Sequence, residues 1–128
     1  MKLLLDTHIL LCWLSDDSRL SKQADDYLFD AANEIYVSAV SSWEIAIKSS
    51  KGKLEVNLDD IHAALDVNNF LPLACSRRHA VIVSKLPSYP DDPSDKALIA
   101  QSLAEGFSFL TPDDVLAKYG EHLFSFKP

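Results

Sequence analysis

The segment Leu3-Leu4-Leu5-Asp6-Thr7-His8 sets the frame for the whole chain. Three leucines in a row, with no polar alternation, predict a short strand covered on both faces, the habit of a parallel sheet buried between helices. Asp6 and His8 interrupt the apolar run and no small-residue cleavage site follows, so the segment does not read as a secretory leader. Outward from it, helices and strands alternate. Helices are predicted over 8–14 and over 22–32, the latter with Ser21 as cap and Ala24, Leu28 and Ala31 at helical spacing. Glu34-Ile35-Tyr36-Val37-Ser38 is β-branched and aromatic, hence strand. Further helices are predicted over 41–51 and 58–67, a short edge strand with Pro72 over 71–74, and a helix over 76–86. Tyr89-Pro90-Asp91-Asp92-Pro93 reads as a loop before a helix over 94–105. A strand over 107–110, a helix over 113–119 and a last strand over 122–126 complete the chain, and Gly52, Gly106 and Gly120 are expected just past helix ends. Such alternation predicts an α/β fold, a three-layer α/β/α sandwich with a central parallel sheet of about four to five short strands.

The 128 residues suit a single domain, 1–128. Hydrophobic residues make up 48% and charged residues 24%, which excludes a disordered, collagenous or membrane chain. No apolar stretch approaches the about 18 residues of a membrane span, and a cytoplasmic location is expected. Cys12 and Cys75 stand alone, without metal-ligand spacing, and read as small buried hydrophobes. The net charge of −7 repels nucleic acid at long range. A nucleic-acid partner would therefore need local basic patches and bound cations.

In open parallel sheets ligands bind beyond the carboxyl ends of the strands, and acidic residues gather there. Asp6 follows the first strand directly; it can cap the next helix or face a site. Glu44 sits among apolar neighbours in the helix after the second strand, and it can pair with Lys48 at i,i+4. Asp95 opens the helix after Pro93, where Ser94 can cap and the helix dipole favours an acid. Asp113 and Asp114 follow Thr111-Pro112 and also suit a first helical turn. Jointly, Asp6, Glu44, Asp95 and Asp113 can converge on one rim of the sheet. Carboxylates about 5 Å apart repel by roughly 3 kcal/mol per pair at an effective dielectric of about 20, which calls for protonation or a cation. Mg²⁺ or Mn²⁺ suits oxygen ligands, and a hydrated ion can activate water against a phosphodiester.

Four blocks carry a family resemblance. Leu3-Leu4-Leu5-Asp6-Thr7-His8, Ser41-Ser42-Trp43-Glu44-Ile45-Ala46-Ile47-Lys48, Asp92-Pro93-Ser94-Asp95-Lys96-Ala97-Leu98-Ile99-Ala100-Gln101 and Leu110-Thr111-Pro112-Asp113 resemble, in order and spacing, the signature blocks of VapC-type PIN-domain toxins. The resemblance runs from Met1 to about Gly120 and implies a PIN-like fold. It implies a Mg²⁺- or Mn²⁺-dependent endoribonuclease that hydrolyses RNA (tRNA, rRNA or mRNA), forms a homodimer, and is the toxin of a type II pair silenced by a cognate antitoxin. Asp6, Glu44, Asp95 and Asp113 match the family's four acidic positions, implied to be both catalytic and metal-binding, and Thr7 matches a hydroxyl beside the metal. The third block commonly reads His-x-Asp-Pro-Phe-Asp-Arg; here Pro90, Ser94 and Lys96 replace the His, Phe and Arg, while Asp92, Pro93 and Asp95 remain. Asp92 and Lys96 are supporting candidates, and Lys96 keeps the charge but not the bidentate fork.

Lys48, Lys51 and Lys53 form a basic stretch that is either a solvated helix end or a contact for RNA phosphates. His8, His62, His79 and His122 are dispersed, which disfavours a zinc hydrolase. Trp13, Tyr27, Phe29, Tyr36 and Trp43 are read as core aromatics and not as a stacking platform. Three other functions compete with the nuclease. A receiver-like Mg²⁺-binding signalling domain needs an acidic pair at the first strand end and a later strand-end Lys. An aspartyl phosphatase needs Asp-x-Asp where this chain has Asp6-Thr7-His8. A PIN fold acting only as a binding partner has no use for all four acids.

Overall fold

Among the described residues, five strands form one sheet: β1 (Lys2–Leu5), β2 (Glu34–Ser38), β3 (Leu71–Leu73), β4 (Ser108–Thr111) and β5 (Leu123–Ser125). Their spatial order is β3-β2-β1-β4-β5, and every neighbouring pair is parallel. The computed structural model describes residues 1–15, 22–86, 92–111 and 123–125. Parallel neighbours require crossovers, and among the described residues six helices lie between the strands: α1 (Thr7–Leu14), α2 (Lys22–Phe29), α3 (Ala39–Ser50), α4 (Leu58–Val67), α5 (Arg77–Lys85) and α6 (Pro93–Glu105).

The leucine run behaves as its composition dictates. Leu3, Leu4 and Leu5 are fully buried, and successive side chains point to opposite faces. Leu3 and Leu5 join Ile35, Val37 and Leu110 in one core, closed by Ile9 and Leu10 of α1, Leu28 of α2 and Ile61 and Leu65 of α4. Leu4 joins Phe109 in a second core, closed by Leu98 and Ile99 of α6 and Val40 of α3. Helices therefore cover both faces, giving the expected three-layer α/β/α sandwich. Register pairs Leu4 with both Tyr36 and Phe109, so β1 lies at the centre of the sheet, while Pro72 sits in the outermost strand β3. A proline there removes no interior ladder bond.

Boundaries shift where caps decide them. Ser38, not Ser41, starts α3, because its side chain accepts from the Val40 amide. Asp92, not Ser94, caps α6, with Pro93 at the first helical position. Gly52 and Gly106 follow helix ends with φ of 72° and 70°, as expected. The predicted helix over 113–119, Ser21, Gly120 and most of the 89–93 loop lie outside the described residues. Two expectations are corrected. Trp43 and Phe29 are not core: they are 61% and 72% exposed. Trp43 stands two residues from the fully buried Ile45, about 200° around the helix, so burying one turns the other outward. Cys75 is exposed and Cys12 only partly buried, and neither forms a disulfide. Among the described residues, no helix is long and apolar enough to cross a membrane.

Candidate functional site

The chain leaves β1 toward β2 on one side and returns to β4 on the other. The crevice at the carboxyl ends of β1 and β4 is therefore the topological switch point, where open α/β sheets bind ligands. Asp6 stands there. Its amide donates to the Leu110 carbonyl at 2.9 Å, and its side chain is buried. Oδ2 accepts from the His8 amide at 3.3 Å, capping α1, and lies 3.3 Å from His8 Nδ1. Oδ1 is buried and has no hydrogen-bond partner. Of the two alternatives for this residue, Oδ2 makes the cap, and Oδ1 is left without a partner. The hydrogen bond to Asp6 raises the pKa of the exposed His8 ring.

Asp95 lies in the first turn of α6. Asp92 precedes it and accepts from the Ser94 and Asp95 amides at 2.8 and 3.2 Å. The Asp95 carboxyl is pushed up to about 7, first by burial and then by the charges of Asp6, Asp92 and Glu44. The charges of Asp6, Asp92 and Glu44 therefore all reach Asp95, from three elements. Glu44, on α3, pairs with Lys48 at 2.9 Å, which is the i,i+4 contact its spacing allows. That bond, more than the fields of Glu44, Asp92 and Asp95, raises the Lys48 pKa. Asp113 lies two residues beyond β4, outside the described residues. Lys96 is half-buried, and its amide donates to the Asp92 carbonyl at 3.1 Å.

Hydroxyls and one amide hold these elements together. Thr7 Oγ1 and Ser41 Oγ, both buried, are 2.9 Å apart and tie the start of α1 to α3. Ser38 Oγ accepts from the Val40 amide and donates to Gln101 Oε1. The Gln101 amide nitrogen reaches the Ala74 carbonyl and His79 Nδ1 at 3.4 and 3.3 Å. His79 Nδ1 also accepts from the Ser76 amide, so its proton sits on Nε2, which bonds Glu105 at 2.9 Å. Ser38 and Gln101 thus fix α3 against α6, and with them Glu44 against Asp95. Sequence reasoning missed Ser38, Ser41 and Gln101 as positioning residues. A serine between strand and helix is a cap signal that would have found the first; Ser41 and Gln101 give no local signal, because their partners are remote in sequence.

A groove of about 410 Å³ opens beside the acids, lined by Trp43, Glu44, Lys48, Lys51, Lys53 and Asp92 among others. It gathers the three candidate lysines on one side of the site.

A PIN-domain model matches residues 3–122. The chain belongs to the PIN-domain family. Ribonuclease VapC22 of Mycobacterium tuberculosis is 25% identical over 112 residues, spanning 86% of this chain and 85% of that protein. The crystal structure of VapBC2 from Rickettsia felis bound to a promoter DNA fragment superposes with a TM-score of 0.71 at 14% identity, covering 99% of this chain and 100% of that one. The FitAB complex bound to the IR36 DNA fragment gives 0.62 at 19% identity over 96% and 94% of the chains. FitAcB from Neisseria gonorrhoeae gives 0.59 at 20% identity over 91% of each. At those identities the three structures establish the shared fold.

PIN domains are typically metal-dependent nucleases. The residues present fit a hard divalent cation. The donors are carboxylate oxygens, the type that Mg²⁺ and Mn²⁺ take. Asp6 Oδ1 is a buried acceptor with nothing to accept from, and such an atom carries a desolvation cost until something positive meets it. The Asp95 carboxyl, held up to about 7 partly by its acidic neighbours, would ionise fully against the same charge. Among the described residues, no three His, Cys, Asp or Glu side chains form a metal-holding group by themselves.

Proposed function

We propose that this PIN-domain protein is a Mg²⁺- or Mn²⁺-dependent endoribonuclease acting as the toxin of a type II toxin–antitoxin pair. The observation that carries the reading is the unpartnered, buried Asp6 oxygen at the switch point, beside an Asp95 carboxyl that its acidic neighbours repel. Likeness to a ribonuclease over most of both chains supports the reaction class. Solved neighbours whose names are those of two-component complexes on DNA support a protein partner, here a cognate antitoxin. Homodimerisation and a cytoplasmic location belong to the same reading, as does a single domain spanning 1–128.

Asp6, Glu44, Asp95 and Asp113 would hold the cation, with Thr7 beside it. When bound, the ion supplies charge to stabilise a phosphodiester under attack and makes water a stronger nucleophile. The chain's own residues do the rest. Asp6 is fixed in aim by the cap it makes with Oδ2. The Thr7–Ser41 and Ser38–Gln101 bonds hold the three acid-bearing elements at constant spacing, which is how preorganised charge acts at low cost. Asp92 fixes the start of α6 and so the position of Asp95. Lys96 supports the same turn. Lys48, Lys51 and Lys53 offer cations to the phosphates of an RNA strand.

The test is direct. Purified protein is incubated with a panel of tRNA and rRNA in Mn²⁺ or in EDTA. Cleavage is expected only with metal, leaving 5′-phosphate and 3′-hydroxyl ends, because water and not the 2′-hydroxyl attacks. Asp6→Asn should lose cleavage by at least a factor of about 100, the usual scale for removing a principal electrostatic group, with unchanged circular dichroism. Full activity in that variant rejects the assignment, and binding of a partner without any cleavage would favour a purely adaptor role.

A further inference from the structure

We infer that the groove beside the acids receives single-stranded RNA, with one base stacked on the exposed indole of Trp43 and adjoining phosphates on Lys51 and Lys53. The inference rests on the ribonuclease reading and names the form of its substrate. Trp43 is the residue immediately before Glu44, and it is 61% exposed in the wall of the same groove. A large apolar ring left in water next to a reaction site is a contact surface awaiting a partner. Along α3, Trp43, Ile47 and Lys51 recur every fourth residue and so form one stripe, which runs to the cap just past the helix; Glu44 and Lys48 form the stripe beside it. Lys51 thus lies about 12 Å along the helix from Trp43, one cation beyond one aromatic face.

Charge selects the occupant. The Lys48 ammonium is answered by Glu44 at 2.9 Å. Lys51 and Lys53 are exposed, and among the described residues neither has an ion-pair partner. A polyanion with flat π faces satisfies both features at once, since bases stack on aromatic rings while the backbone follows a basic groove. A duplex does not, because its bases are already stacked and offer no face to Trp43. A strand lying on Trp43 also passes directly beside Glu44, so stacking would set which phosphate meets the carboxylates.

The chain holds two tryptophans, and Trp13 packs on Phe70 with ring centroids 4.8 Å apart. In a Trp13→Phe background the emission therefore reports Trp43 alone. Titration in EDTA with a short single-stranded oligoribonucleotide of mixed sequence should quench that emission, and the duplex with its complement should not. Trp43→Ala should weaken single-strand binding by about 5- to 150-fold, the worth of one stacked base, and Trp43→Phe should recover most of it. Equal affinity without Trp43, or equal binding of duplex, overturns the inference. So does a loss of self-association in Trp43→Ala measured by light scattering, which would assign the ring to a contact between copies. Metal-dependent cleavage by the wild type without quenching overturns the stacking and leaves the ribonuclease reading intact; no cleavage of any RNA overturns both.

Discussion

Asp95 is where the acidic cluster carries its greatest electrostatic tension. Its carboxyl titrates near 7 instead of 3.8. Between those values the folded chain holds a proton that the unfolded chain has released, so stability falls as pH rises from about 4 to 7. His8 points the same way: its raised value means a contribution present below 6.5 and lost as pH climbs through the folded pKa. In EDTA the protein should therefore melt at higher temperature at pH 5 than at pH 8. Asp95→Asn should flatten much of that slope and stabilise the chain at pH 8. The gain is on the order of 1 kcal/mol once solvent screening of this half-exposed group is allowed for, or roughly 3–5 °C. A scanning calorimetry series across pH checks it, and a variant as pH-dependent as the wild type would remove Asp95 from the cluster. Asp6 illustrates how much one residue type in one place can foretell. Its position after the leucine strand marks it as either cap or ligand; only the folded chain shows that Oδ2 caps while Oδ1 is left without a partner.

Among the elements, α3 and α6 matter most, because they carry Glu44 and Asp95 and a buried bond ties the start of one to the other, beside the Val40–Leu98–Ile99 packing. Ser38 caps α3 and also donates to Gln101 of α6. Ser38→Ala removes a cap and leaves the Gln101 oxygen buried without a donor, which should cost about 1–3 kcal/mol. The urea midpoint should drop while the slope stays constant. Mn²⁺ affinity should fall with it, since Glu44 and Asp95 lose their fixed spacing; a midpoint unchanged from wild type would mean that water replaces the hydroxyl. The start of α6 is legible in part. Pro93 and the acids around it mark a helix N-terminus, yet Asp92 takes the cap expected of Ser94, because a proline at the first helical position places its predecessor at the cap. Trp43 reads as core in the sequence and is not, for a geometric reason. Apolar residues cluster along α3, and composition does not say which of them the sheet will claim.

At the scale of the whole molecule, −7 of net charge must coexist with the anionic substrate proposed above. A divalent ion that binds only the folded chain should stabilise it by about 2.7 kcal/mol at a concentration roughly a hundred times its Kd. Thermal shift with Mn²⁺ should be larger at pH 8 than at pH 5, where Asp95 still holds its proton; equal shifts would place the ion elsewhere. RNA binding should weaken with salt, and replacing Lys51 and Lys53 by Ala should reduce the log–log slope by about 0.7 for each phosphate that is no longer neutralised. An unchanged slope would mean that neither lysine meets the backbone. The amino-acid order by itself determined the α/β class, the central leucine strand and the acids at element junctions, because hydrophobic period, caps and breakers act over a few residues. Tertiary structure alone decided that the charges of Asp6 and Glu44 reach Asp95, that Ser38 meets Gln101 and that Trp43 faces outward. Those facts depend on how helices rotate against the sheet and on partners dozens of residues apart, and local spacing carries no record of either.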